Sequence, residues 1–355
     1  MSKEQPDFKL NRPGALIAAL PAILGFIPEQ SLVLVSVDGG ELGSVLRVDL
    51  SDQLAETVGH LAEVASAAAP AAAIAVIVDA DGARCPLCNE QHRRLCKALG
   101  AELNRFRIEL WAAHVVDRVA PGGRWHCVDD CGAGGPVDDP SASPLAAAAV
   151  LDGRRLYRRR TDLQAVIAAD ESPRGAAVAA AIGERAAARM AAHRADPDGS
   201  TDRARRDIAD VTAVAHALAA GQEPTDDELA LAGCPLADVT VRDTLFGLAV
   251  GENAADAEAL WALLSRTLPQ PWRAEALVLL AFSAYARGDG PLAGVSLEAA
   301  LRCAPAHRMA GMLDTALQSG LRPERIRELA DSAYRLADRL GVRLPPRREF
   351  SRRAG

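Results

Sequence analysis

Aromatic side chains are scarce in this 355-residue chain, at 4% of the total, so few rings are available to stack on nucleic-acid bases. An excess of positive charge is missing as well. The formal net charge is −7, which repels polyanions and argues against a role on nucleic acid or an anionic membrane surface. Local arginine runs do exist, at Arg154, Arg155, Arg158, Arg159 and Arg160 and again at Arg347, Arg348, Arg352 and Arg353. They read as a solvated helix face and a frayed tail. No apolar run reaches the ~20 residues that a membrane span needs. The stretch from Gly14 to Phe26 is interrupted by Pro21 and reads as core. Lys9 and Arg12 precede it, but Glu4 and Asp7 make the start partly acidic and no small-x-small cleavage site follows. A secretion signal is therefore not expected.

Catalytic signatures are absent too. The chain has no Gly-x-x-x-x-Gly-Lys-Ser/Thr phosphate loop and no Gly-x-Gly-x-x-Gly after a strand. It has no His-Glu-x-x-His helix and no Gly-x-Ser-x-Gly elbow. Residues Gly132 to Gly135 lack the spacing of a phosphate cradle and read as a turn. His114, His193, His216 and His307 are scattered, and each is expected to be packed or exposed rather than catalytic. Asp138, Asp139, Ser141 and Ser143 precede a helix at Leu145, where capping accounts for them.

What is present describes a folded, two-part chain. Hydrophobic residues make up 49% and charged residues 25%, the usual globular mix. The length exceeds what one ordinary core supports, so two domains are expected. A short helix over Arg12–Leu24 leads into Ser31–Val37, β-branched and apolar as a buried strand should be. Gly43–Leu50 forms a hairpin with it, and Asp52–Ala69 has helical spacing. Ala72–Val78 is fully apolar and therefore central in its sheet. After it come a loop holding Cys85 and Cys88, a helix from about Glu90 to Arg105, and strands over Arg107–Val116 and Arg124–Val128. This pattern predicts an α/β domain over residues 1–150, a mixed sheet with flanking helices. Beyond Gly132–Pro144, a loop by composition, strand signals nearly vanish. Residues 151–345 read as an all-α domain of successive helices, with breaks at Gly221–Thr225, Gly251–Asn253, Gly288–Pro291 and Gly320–Pro323. Residues 346–355, opening on Pro346, read as a disordered tail. Leu280, Ala281, Gly288, Ala293, Leu297, Ala300 and Pro305 fall on the positions of one tetratricopeptide-like helical hairpin. A shift of 34 residues does not repeat it.

The seven cysteines carry most of the chemical interest. Their odd number, in a chain without a secretion signal, points to reduced thiols and a cytoplasmic location. Cys85 and Cys88 form a Cys-x-x-Cys hook with His92 beyond it, and Cys127 and Cys131 form a second hook next to His126. Each follows a predicted strand. If those strands neighbour one another in the same orientation, four thiols converge at one end of the sheet and could hold a structural zinc, with His126 or His92 as a substitute ligand. A strand, a Cys-x-x-Cys and a helix in that order also suit thiol redox chemistry, because a helix N-terminus lowers the first thiol's pKa. The motif lacks a preceding Trp, and no cis-proline strand can be picked out downstream. A third reading is small buried thiols without a shared task. Cys96, Cys234 and Cys303 fall on helical patterns and read as core.

Three stretches taken together resemble a known family. Leu24-Gly25-Phe26-Ile27-Pro28-Glu29-Gln30-Ser31 precedes Leu46-Arg47-Val48-Asp49-Leu50. Gly123-Arg124-Trp125, Cys127 and Cys131 lead to Gly135-Pro136-Val137-Asp138. Pro271-Trp272-Arg273-Ala274 leads to Leu280-Ala281-Phe282, Tyr285 and Gly288-Asp289-Gly290. The pattern is similar to the actinobacterial family DUF4192, a domain of unknown function, over nearly the whole chain. The high Ala and Arg content suits such a source, a mycobacterium for example. The resemblance implies thiols around Cys127 and Cys131 and no assigned activity, and it makes the Cys85 hook the less general of the two. Arg47 and Asp49 read as an ion pair at a sheet edge.

These observations lead to a regulatory or adaptor protein, not expected to be an enzyme, whose helical half meets a protein partner while zinc or thiols brace the front half. The alternative is an enzyme or small-molecule binder at the strand ends, using Cys85, Cys88 and Cys127 with Asp49 or Asp79. A second alternative is a thiol redox switch.

Overall fold

The computed structural model describes residues 12–348 apart from 52, 68, 152, 153 and 197. The chain divides into two compact units, one built from residues up to Leu163 with Ala316–Gly320, the other from Gln164–Thr315 and the residues from Leu321 onward. The first unit contains α1 (Pro13–Leu24), β1 (Ser31–Asp38), β2 (Glu41–Asp49), α2 (Leu54–Ser66), β3 (Ala72–Val78) and α3 (Pro86–Arg105). It continues through β4 (Glu109–Val116), β5 (Arg124–Cys127), β6 (Gly134–Pro136) and α4 (Pro144–Leu151). The strands form one six-stranded sheet in the order β2-β1-β3-β4-β5-β6. β3 and β4 are parallel and every other neighbouring pair is antiparallel.

Side-chain chemistry explains this layout. β1 and β3 are apolar on both faces, every residue of β3 is buried, and such strands are stable only in the middle of a covered sheet. Leu32, Leu34, Ala75, Ile77 and Val115 pack against Val58, Leu61 and Ala62 of α2 and Leu95, Leu99 and Leu103 of α3. Because β3 and β4 run parallel, the chain must cross over between them, and α3 is that crossover. After α4 the chain returns to α1, where Tyr157 bridges Phe26 and the Tyr157 amide donates to Gly25 O at 2.7 Å. The first unit thereby runs past residue 150.

The second unit is helical. The short helix α5 (Arg160–Gln164) spans the division, and beyond it come α6 (Pro173–Ala195), α7 (Ser200–Ala219), α8 (Asp226–Gly233), α9 (Val239–Leu245) and α10 (Ala254–Thr267). They are followed by α11 (Trp272–Arg287), α12 (Gly290–Cys303), α13 (Arg308–Gln318) and α14 (Pro323–Leu340). α11 is buried almost all round, from Ala274 to Ala286, which fits its run of Leu, Val and Ala. Gly288 sits at φ 88°, a left-handed conformation that glycine adopts at little cost, and it ends α11. Asp289 then caps α12 by accepting from the Leu292 amide at 3.1 Å. Ala281, Ala293 and Ala300 are fully buried, and such small side chains let the two helices of this hairpin approach closely. Among the described residues, no helix is long and apolar enough to cross a membrane.

Three expectations need correction. α3 begins at Pro86 rather than near Glu90, so Cys88 lies on the helix and Cys85 caps it. Part of the Gly132–Pro144 loop is the strand β6, which pairs with β5 through backbone groups; its Gly-Gly-Pro sequence carries no side-chain periodicity to reveal it. Residues 346–348 are not a free tail: the Glu252 amide donates to Pro346 O at 2.9 Å and the Arg348 amide to Val250 O at 3.0 Å. Arg347 pairs with Asp331 and lies over the Tyr334 ring. The rest of the expected tail, and with it Arg352 and Arg353, lies outside the described residues.

Candidate functional site

The first cysteine hook sits where β3 hands over to α3. Cys85 is the N-cap of α3 in an extended conformation, and its sulfur accepts from the Cys88 amide at 3.5 Å. Pro86 occupies the first helical position, where its missing N–H costs nothing. The start of a 20-residue helix concentrates unpaired N–H groups and partial positive charge, which favours a thiolate over a thiol. Hydrogen bonds from the Cys88 amide, then from the Cys88 thiol, lower the pKa of Cys85. The same shared proton raises the pKa of Cys88, and desolvation and the charges of Cys85 and Asp79 add to it. Cys85 therefore ionises more readily than Cys88.

Behind the hook lies a polar group that fixes the loop. Asp79 Oδ1 accepts from the Gly82 amide at 2.9 Å and from Gln30 Nε2 at 3.2 Å. Asp79 Oδ2 faces His92 Nε2 at 3.1 Å. His92 is four residues beyond Cys88, on the same side of α3; it is buried, and its Nδ1 has no hydrogen-bond partner. Gly82 is required sterically: a methyl group there would come within 2.0 Å of Asp79 Oδ2 and 3.1 Å of Cys88 Cβ. The carboxylate and Cys88 thus flank the same point in space.

The second hook has similar internal chemistry in another setting. Cys127 ends β5, and Cys131 lies in the turn to β6, with Asp130 at φ 55° and Gly132 at φ 82°. The Cys127 amide donates to Ala133 O at 2.9 Å and closes that turn. The Ala133 amide, followed by the Cys127 thiol, lowers the pKa of Cys131. Burial, and the proton shared with Cys131, raise that of Cys127.

β5 is separated from β3 by β4 and runs antiparallel to it, so the condition for four thiols meeting at one sheet end is not fulfilled. The structure brings Cys85 together with Cys88 and Cys127 together with Cys131. His92 is held by Asp79, and His126 lies 3.3 Å from Asn89 Oδ1. Because Asn89 Nδ2 donates to Ala83 O at 3.3 Å, its Oδ1 is the acceptor and His126 Nε2 the donor. Burial lowers the His126 pKa, which favours the neutral ring. Among the described residues, no group of three or more His, Cys, Asp or Glu side chains is placed to hold a metal ion. A closed zinc site takes four ligands, whereas each hook supplies two sulfurs.

A cleft of about 490 Å³ opens beside the β5–β6 turn, lined by Arg84, Asn89, Asp117, His126, Cys127 and Asp130. Asp117 accepts from the Arg124 amide at 2.8 Å and lies 3.5 Å from Arg84. Elsewhere, Cys96 and Cys234 are buried and Cys303 is half-buried. His114 is packed edge-on against Trp125 at 5.0 Å. His307 bonds Glu275 at 3.1 Å, and Asp139 caps the short turn at Pro140–Ala142. Arg47 and Asp49 form an ion pair on the edge strand β2. The sequence marks Gln30 only as part of the Leu24–Ser31 stretch and gives Asn89 no role, since nothing about an isolated amide marks it as a partner of Asp79 or His126.

A family model for a domain of unknown function, DUF4192, matches residues 13–324. No curated protein and no solved structure matches the chain.

Proposed function

We propose that this chain, which belongs to the DUF4192 family over residues 13–324, is a regulatory protein that responds to thiol redox state through Cys85 and Cys88. One observation carries this reading: two hydrogen-bonded thiols at the start of a long helix, their proton affinities pushed in opposite directions. Thiol–disulfide exchange needs that asymmetry, with a thiolate to attack and a protonated neighbour held back until the second step. The Cys85 thiolate attacks a disulfide R–S–S–R and releases one thiolate, which takes up a proton. Cys88 then loses its proton and attacks Cys85 Sγ of the mixed disulfide, releasing the second R–SH. The chain loses two electrons to the small disulfide and gains a Cys85–Cys88 bond. The helical unit is, in the same proposal, the part that meets a protein partner. The redox reading takes the thiols as two pairs and needs no metal.

The test treats reduced full-length protein with glutathione disulfide and maps the products by peptide mass spectrometry. A Cys85–Cys88 disulfide is expected in the native chain, and glutathione trapped on Cys85 in Cys88→Ser. Partner capture by the oxidised and reduced forms should then differ. If Cys85 and Cys88 remain free thiols while Cys131 reacts, the proposal is wrong.

A further inference from the structure

The second step of that exchange requires Cys88, the thiol that holds its proton more firmly, to give it up. We infer that Asp79, oriented by His92 and Gln30, is the group that takes the Cys88 proton during disulfide formation. This inference rests on the redox reading and concerns only its second step.

Geometry singles out Asp79. A Cβ at Gly82 would meet both Asp79 Oδ2, at 2.0 Å, and Cys88 Cβ, at 3.1 Å, so the carboxylate oxygen and the Cys88 side chain border the same space beside Gly82. Oδ1 is committed to Gly82 and Gln30, whereas among the described residues Oδ2 accepts from His92 alone and keeps acceptor capacity. The bond from His92 holds the carboxylate in place, and burial of His92 fixes the imidazole in turn. The other ionisable groups near this point have different commitments. Cys85 is consumed in the mixed disulfide, His126 on β5 bonds Asn89, and Arg84 pairs with Asp117. The carboxylate also opposes early loss of the Cys88 proton, since its negative charge disfavours a thiolate beside it. The proton therefore moves when the sulfur begins to bond to Cys85 Sγ and its charge is dispersed. His92 is a positioning residue in this scheme.

The experiment separates the two steps in the full-length protein. Release of the first thiol from glutathione disulfide reports attack by Cys85, and release of the second reports attack by Cys88, each followed against pH. With Asp79→Asn, which keeps shape and acceptor oxygen, the first release should be little changed. The second should slow by about 10²-fold near pH 7 and rise in proportion to hydroxide until it approaches the native rate. In the native chain the second release should show a plateau around neutral pH, and this holds as a test even if the variant folds poorly. His92→Gln should show an intermediate loss. An unchanged second-step profile in Asp79→Asn, or a native profile that simply follows hydroxide, overturns the inference and leaves the redox proposal intact. Absence of any Cys85–Cys88 disulfide in the native chain would instead remove the redox proposal itself.

Discussion

At the scale of single residues, proton affinity and hydrogen-bond geometry decide what each side chain can do. His114 shows the energetic side of this. Its ring is buried, its Nδ1 has no hydrogen-bond partner, and burial pushes its pKa down to about 4. In an unfolded chain the value is about 6.5, so the unfolded state binds the additional proton between those limits. Stability from this residue is complete above pH ~6.5 and is lost as pH falls toward 4, by roughly 3 kcal/mol in all. His114→Phe keeps the contact with Trp125 and cannot titrate. Urea unfolding midpoints should therefore fall less steeply between pH 6.5 and 4 in the variant than in the native chain; parallel slopes would show that His114 is not the group responsible. The residue scale is also where the sequence was least legible. Cys85, Cys88, Cys127 and Cys131 stand out by type and spacing, but the bond between Asp79 and His92 depends on how the intervening loop and helix start turn around Gly82. His92 was noticeable only as a possible ligand, and its actual partner is set by that turn.

At the scale of elements, legibility followed the physics of burial. β1, β3 and the α11–α12 hairpin were readable because their side chains record their environment: continuous apolar runs for central strands, Gly288 at a left-handed turn. β6 was hidden because its pairing with β5 uses backbone groups alone. The start of α3 was placed too late because Cys is an unusual cap, and Pro86 could equally have marked a loop. Convergence of the hooks depended on strand order and direction, which local sequence does not encode. The docked segment after α14 was missed for a related reason. Pro345 and Pro346 cannot donate, yet their carbonyls accept from Tyr334 OH at 2.7 Å and from the Glu252 amide. A chain ending at Leu344 should be less stable than one ending at Arg348 by about 1–3 kcal/mol, the range for a few lost hydrogen bonds and the groups left unpaired. Equal denaturation midpoints for the two chains would show that this segment adds nothing.

At the scale of the whole molecule, the fold class was legible, a mixed sheet with helices followed by a helical region. The family match spans both units. What distinguishes the front unit is that both thiol pairs have the same internal division, one sulfur with lowered and one with raised proton affinity, while Cys96 is pushed up to about 12 chiefly by burial. Only the first pair sits at the start of a long helix. The central claim is that Cys85 is the reactive thiol of a redox couple. It is tested most directly by the rate at which iodoacetamide alkylates each cysteine of the reduced, folded chain across pH 5 to 9, read peptide by peptide. Cys85 should react with an apparent pKa below that of an ordinary thiol and well ahead of Cys88, with Cys96 nearly inert. Cys88 reacting as fast as Cys85, or both titrating like free cysteine, would contradict the claim.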